Sequence, residues 1–279
     1  MRAPFETTTT ESLAPQPPLP AVGAGGMGGL LVGPTRVVFE GGVRSAQLTL
    51  VNTGARMATY RLRIIRMRMT ETGEIREIQD AEGAELFADS LVRFSPRRVE
   101  LAPQVPQTVR LQLRKPADLP PGEYRSHLLI QALPEQAGED SSDLATRTLT
   151  LRLKPVFGVS VPVIVRHGET RASIRLSEVS LDDPAGAPPQ ERVRVVLDRE
   201  GNRSVYGDLT AVLESGPGER EVVGLARGVA VYAPNPRRVF LLPLRLPRDR
   251  PPTATLHISF AAAPGAGEGP HAEATLPLR

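Results

Sequence analysis

Gly23, Gly25 and Gly28 spell G-x-G-x-x-G, the pattern that cradles a dinucleotide pyrophosphate when it joins a strand to a helix N-terminus. A proline-rich run precedes it and an extended segment follows, so the mechanism lacks both supports. Neither lysine, Lys115 or Lys154, follows a glycine, which removes the phosphate loop. His127, His167, His257 and His271 are scattered without metal-ligand spacing, and the chain has no cysteine, which excludes disulfides, zinc–thiolate sites and thiol nucleophiles. Ser160, in Gly158-Val-Ser160-Val161, lacks the closing glycine of a nucleophile elbow. Asp182-Asp183 precedes Pro184 and reads as a turn, not a carboxylate pair. Asn202-Arg203-Ser204 matches a glycan acceptor but reads more simply as a turn. No catalytic constellation assembles. The expectation is a protein that is not an enzyme and uses no cofactor or metal.

The charged residues suggest binding instead. Of 34 cationic residues all but Lys115 and Lys154 are arginine, against 31 acidic ones, for a net charge of +3. Arg61, Arg63, Arg66 and Arg68 alternate along one segment as a nucleic-acid stripe would. The apolar phase flips between Ile64 and Ile65, however, which divides them over two faces. With 7 Phe, 4 Tyr and no Trp, stacking platforms are few. A solvated strand face is the better reading, and no nucleic-acid partner is expected. No apolar run approaches the roughly 18–20 residues of a membrane-spanning helix, so no membrane insertion is expected.

The elements that would position these groups are strands. The 279 residues include 28 prolines and 25 glycines, and an interior proline costs a helix about 3 kcal/mol. Residues 1–33 are read as a disordered Pro/Gly-rich N-terminal segment that makes a poor secretion signal, because acidic Glu6 and Glu11 follow Arg2 without an apolar core. From Pro34 onward short alternating segments are separated by turn signals. Ala46, Leu48 and Leu50 share a face before the Asn52-Thr53-Gly54 turn. Ala58 to Met69 forms a longer strand, with a bulge or change of sheet expected at Ile64–Ile65 to explain its phase flip. Val92–Phe94, Arg98–Leu101, Thr108–Leu113 and Glu123–Leu133 follow, giving about seven or eight strand candidates in roughly 130 residues, as in an antiparallel sandwich. After a short linker at Arg166-His167-Gly168 a second series begins. Its candidates are Ile174–Val179, Arg192–Leu197, Ser204–Leu213, Glu221–Leu225, Val229–Tyr232, Arg238–Leu246, Thr253–Phe260 and Ala272–Leu278. The fold class is all-β: two immunoglobulin-like β-sandwich domains, 34–166 and 167–279.

One segment is too apolar for a strand at the end of a sandwich. Leu149, Leu151 and Leu153 share a face and Phe157, Val159, Val161, Val163 and Val165 continue apolar. An uncovered edge of that kind invites aggregation. Either the segment is buried as ordinary core on its way into the second domain, or its edge is there to be lent to another protein by strand addition.

Several motifs in order resemble one family. They are PTRVVFEGG from Pro34, LTLVN from Leu48, FSPRRVELAP from Phe94, QTVRL from Gln107 and LPPGEYRSHLLIQALP from Leu119, followed by an acidic loop at 135–143 and the apolar strand. Over about 130 residues they resemble the first domain of the periplasmic chaperones of the chaperone/usher pilus pathway. In the second domain GNRSVYGDL from Gly201 is the most familiar stretch. The resemblance implies a chaperone that holds incomplete pilus or fimbrial subunits in the cleft between its sandwiches, lends them a strand, and delivers them to an outer-membrane usher. It implies periplasmic localisation and a cationic pair that anchors the subunit's C-terminal carboxylate. Arg36 matches the first anchor. Lys154 is the only lysine for the second, although aligning the strand end on Arg166 places Pro162 there. Leu149, Leu151, Leu153 and Phe157 are the donor candidates. A self-capping dimer would cover two donor strands at once. The alternative is a structural or adhesive β-sandwich protein of the cell surface without chaperone activity.

Overall fold

The computed structural model describes residues 29–134, 157–182, 191–216, 218–247, 249–251, 253–262 and 271–278. The glycines of the dinucleotide-like pattern, the acidic loop 135–143 and the donor candidates Leu149, Leu151 and Leu153, with Lys154, lie outside them.

The first sandwich is built from β1 (Leu30–Gly33), β2 (Val37–Phe39), β3 (Ser45–Asn52), β4 (Ala58–Met69), β5 (Ile75–Ile78), β6 (Val92–Ser95), β7 (Arg98–Leu101), β8 (Pro106–Leu113), β9 (Gly122–Ala132) and β10 (Gly158–His167). One sheet runs β1-β3-β8-β6 and the other β2-β10-β9-β4-β5, with β7 on β4. Alternation explains the packing. Leu48 and Leu50 of β3, Val109 and Leu111 of β8, and Leu128 and Ile130 of β9 are buried in one core with Phe39. Two polar devices close its corners. Asn52 is buried, with Nδ2 donating to Leu101 O (2.9 Å) and Arg56 O (2.7 Å), and its Oδ1 accepts from Gly54 N, so the Asn-Thr-Gly turn is tied to β7. The Tyr124 hydroxyl donates to Pro120 O at 2.8 Å, the tyrosine corner of immunoglobulin-like sandwiches.

The second sandwich comprises β11 (Ala172–Asp182), β12 (Arg192–Gly201), β13 (Val205–Gly216), β14 (Glu219–Val231), β15 (Arg237–Pro243), β16 (Thr255–Ala262) and β17 (Ala272–Pro277). Its sheets run β11-β12-β15 and β14-β13-β16-β17. Val193, Val195 and Leu197 face Leu209, Ala211, Leu213 and Phe260 across its core. The chain is thus all-β with two immunoglobulin-like sandwiches.

Three expectations are corrected. Leu30–Gly33 is not part of an unstructured segment: it pairs antiparallel with β3, and Leu30 and Val32 enter the core, so two alternate apolar residues outweigh the surrounding glycines. Of the bulge or change of sheet expected at Ile64–Ile65, the bulge is absent, because the register of β4 against β9 runs unbroken from Tyr60↔Ala132 to Ile65↔His127, and from Arg66 onward the strand pairs with β5 instead. Its phase flips because the strand outruns the first core. Tyr60 and Leu62 point into that core, whereas Met69 points the other way, into a smaller cluster with Ile164, Ala230 and Tyr232 between the sandwiches. Finally, Glu221–Leu225 and Val229–Tyr232 form one strand, β14, whose register shifts against β13 absorb Gly228.

Candidate functional site

β9 and β10 turn their second faces toward the second sandwich. While Tyr124, Leu128 and Ile130 of β9 enter the first core, Glu123, Arg125 and His127 are buried on the opposite face. On β10, Val161, Val163 and Val165 are core, and Ile164 joins the cluster between the sandwiches. β2 runs parallel to β10, pairing Val37, Val38 and Phe39 with Val163, Ile164 and Val165. Continuing that register by one residue sets Arg36 beside Pro162, whose partner on β9 is His127.

The facing wall comes from β13 and the loop after β14. Arg199, buried on β12, organises that loop by donating to Asn235 O (2.8 Å), Pro234 O (3.1 Å), Gly201 O (2.7 Å) and Arg203 O (3.0 Å). The loop carries Tyr232 and Asn235, and Asn235 Nδ2 donates to Met69 O at 2.7 Å across the interface. Glu123 is the second tie. Its Oε1 accepts from the Ser204 hydroxyl and from Ser204 N (3.1 Å), and its Oε2 accepts from Arg166 Nε at 3.1 Å. Arg166 also reaches Glu40 (2.8 Å).

Between these walls lies an excess of positive charge. The Arg36 guanidinium carbon stands 4.4 Å from the Tyr206 ring centroid and 5.7 Å from that of Tyr232, and Arg125 stands 4.2 Å from Tyr232. The tyrosine rings draw the cations close but supply no hydrogen-bond acceptor to their N–H groups. Arg36 Nη1 and Nη2, and Arg125 Nε and Nη1, are buried without an acceptor among the described residues. Burial lowers both arginines from their ordinary range, opposed by Tyr232 and Glu123. His127 packs edge-on to Tyr232, with centroids 6.2 Å apart, and burial, followed by Arg125 and Arg36, pushes its pKa down to about 3. Buried donors without acceptors, beside a histidine held neutral, are groups that an anion accepting from both arginines would satisfy.

Of the residues singled out in the sequence, Arg36 lies in this cleft. Phe157 lies just before β10, 46% exposed, and its carbonyl accepts from Ala132 N at 2.9 Å. Arg66 and Arg68 are engaged with carboxylates, Arg66 with Asp89 (3.0 Å) and Arg68 with Glu85 (2.6 Å) and Glu82 (2.9 Å). Arg61 and Arg63 line a separate groove with Arg93 and Arg97. Sequence reasoning missed Glu123, Arg125, Tyr206 and Tyr232 and set His127 aside as a residue without metal-ligand spacing. The available signal was Glu-x-Arg-x-His at alternate positions of β9, three titratable groups on one face of a strand whose other face is apolar.

Fold and cleft together define a class: two immunoglobulin-like sandwiches meeting at a cationic, tyrosine-lined junction. Among solved structures the chain is similar to pilus chaperones. The Pseudomonas aeruginosa CupB2 chaperone is 15% identical with a TM-score of 0.44, covering 89% of this chain and 100% of that one. The periplasmic chaperone SfaE is 12% identical with a TM-score of 0.42, covering 88% and 98%. The CsuC–CsuE chaperone–tip adhesion subunit pre-assembly complex of Acinetobacter baumannii gives 12% identity and a TM-score of 0.43, covering 88% and 96%. No family model and no curated protein matches the sequence.

Proposed function

We propose that this chain is a periplasmic chaperone that binds incomplete pilus subunits by lending them the edge of its last first-domain strand, and passes them to an outer-membrane usher. The observation that carries the reading is the outer edge of β10. β2 pairs with it only at Val163–Val165, so among the described residues Gly158–Pro162 have β9 as their sole neighbour, and this open stretch ends beside the unpaired guanidinium of Arg36. A chain added along that edge would exchange backbone hydrogen bonds with β10 and abut the start of β2. If its last carboxylate sits at Arg36, it runs parallel to β10, collinear with β2. Phe157 shares the phase of Val159 and Val161 but stands exposed, so the row Leu149, Leu151, Leu153 and Phe157 would fill a partner's groove. The motif series from Pro34 to Pro134 supports the same reading.

The test is co-expression with a small incomplete pilus subunit, recovered through a tag on the chaperone. Arg36→Glu and Leu151→Asp should each lower the recovered complex at least tenfold, in line with an unpaired buried charge or a polar group in an apolar groove. Recovery equal to wild type for both variants would sink the reading.

A further inference from the structure

We infer that Arg125 is the second half of the anion seat, so that a carboxylate in the cleft is gripped by guanidiniums from two sides of β10, Arg36 at the foot of β2 and Arg125 on β9. The inference rests on the function proposed above and names a residue which that reading does not supply. A lysine on β10 has no place here, because Pro162 stands beside Arg36 and the neighbouring cleft-facing residue is Ile164. Ile164 pairs on one side with Val38 and on the other with Arg125, so Arg36 and Arg125 sit diagonally across one strand. Both meet the same ring, Tyr232, at 5.7 and 4.2 Å.

A purely structural role for Arg125 explains the stacking but not the edge. Its side chain is on a residue only 6% exposed, and Nε and Nη1 have no acceptor among the described residues. Glu123, the carboxylate nearest in sequence on this face, is already committed to Arg166 and Ser204. Two like charges held around one tyrosine, with no hydrogen-bonded carboxylate among the described residues, are stabilised by any anion that accepts from both, and a carboxylate matches the guanidinium fork bidentately. Tyr206, half-buried, roofs Arg36, and its hydroxyl occupies space left by Gly228, where a Cβ would stand 2.9 Å from it.

The full chain, labelled with 15N-arginine, is titrated with sodium acetate at constant ionic strength, with acetamide as the neutral control. Acetate should shift the Nε–Hε resonances of Arg36 and Arg125 along one isotherm and move the Tyr206 ring signals, while acetamide moves none. Arg125→Gln should weaken acetate at least tenfold, the loss of charge-assisted hydrogen bonds. The assignment falls if Arg36 titrates alone, if neither resonance responds, or if Arg125→Gln binds acetate within twofold of wild type. The wild-type titration decides the matter even where that variant does not fold. Shared acetate binding without any recovered subunit would leave the seat and remove the chaperone reading. Subunit recovery by Arg125→Gln at the wild-type level would do the reverse.

Discussion

His127 illustrates how a single residue can carry the electrostatic cost of the cleft. It is neutral in the folded chain because burial, and then Arg125 and Arg36, push its pKa to about 3 from an ordinary 6.5. Below pH 6.5 the unfolded chain takes up a proton that the folded chain refuses, so stability is lost as pH falls, by up to about 1.4 kcal/mol per pH unit. Glu74, Glu85 and Glu178 have pKa values lowered by their arginine partners, so their contribution is present above the ordinary carboxylate range and is lost only as pH falls through and below it. Calorimetry of wild type should show a falling melting temperature from pH 6.5 to 4.5, and His127→Gln should flatten that slope. Parallel slopes would contradict it. Arg36 could be singled out as an anchor candidate in the sequence because it sits in the TRVVF stretch that opens the motif series. Arg125 was not, since an arginine alternating with apolar residues reads as the solvated side of a strand, and only the second sandwich makes that side an interior.

At the level of elements, the alternation of β3, β8, β12 and β13 was readable because each has one buried and one freer face, and a period of two records that directly. What alternation could not supply was the identity of the second face's partner. β4 is the clearest case: its change of phase was visible and read as a bulge or a change of sheet, and the strand keeps its register on β9 up to Ile65, then changes both its partner strand and what it packs on. Its hairpin with β5 docks on the second sandwich through Asn235 to Met69 O and Val239 N to Glu71 O (2.8 Å). Met69 is the apolar part of that contact, 5% exposed in a small cluster. Met69→Ala should cost about 2 kcal/mol, the low end for a buried methionine because so small a cluster can close on the gap. Urea unfolding measures this, and a loss below about 0.5 kcal/mol would remove the hairpin from the interface energetics.

The whole molecule has two separate cores joined by a small apolar cluster and a buried polar tie. Its cooperativity therefore depends on few groups, chiefly Glu123, whose side chain is 1% exposed. Glu123→Ala leaves Ser204 without its carboxylate and Arg166 half-paired, at a cost of about 3 kcal/mol. It should split a single calorimetric transition into two, one per sandwich, and a transition that stays single would mean that the cores communicate by another route. The junction also fixes something that composition never disclosed, the length of β4. Side chains alternate sides with every residue, so inserting or deleting one between Leu62 and Met69 would turn Arg68 or Thr70 toward Tyr232 and swing Met69 to the opposite side. This strand is a ruler between two interiors: a change of one residue reverses its far face, and a change of two keeps the face but carries Met69 about 7 Å along the strand, away from its cluster.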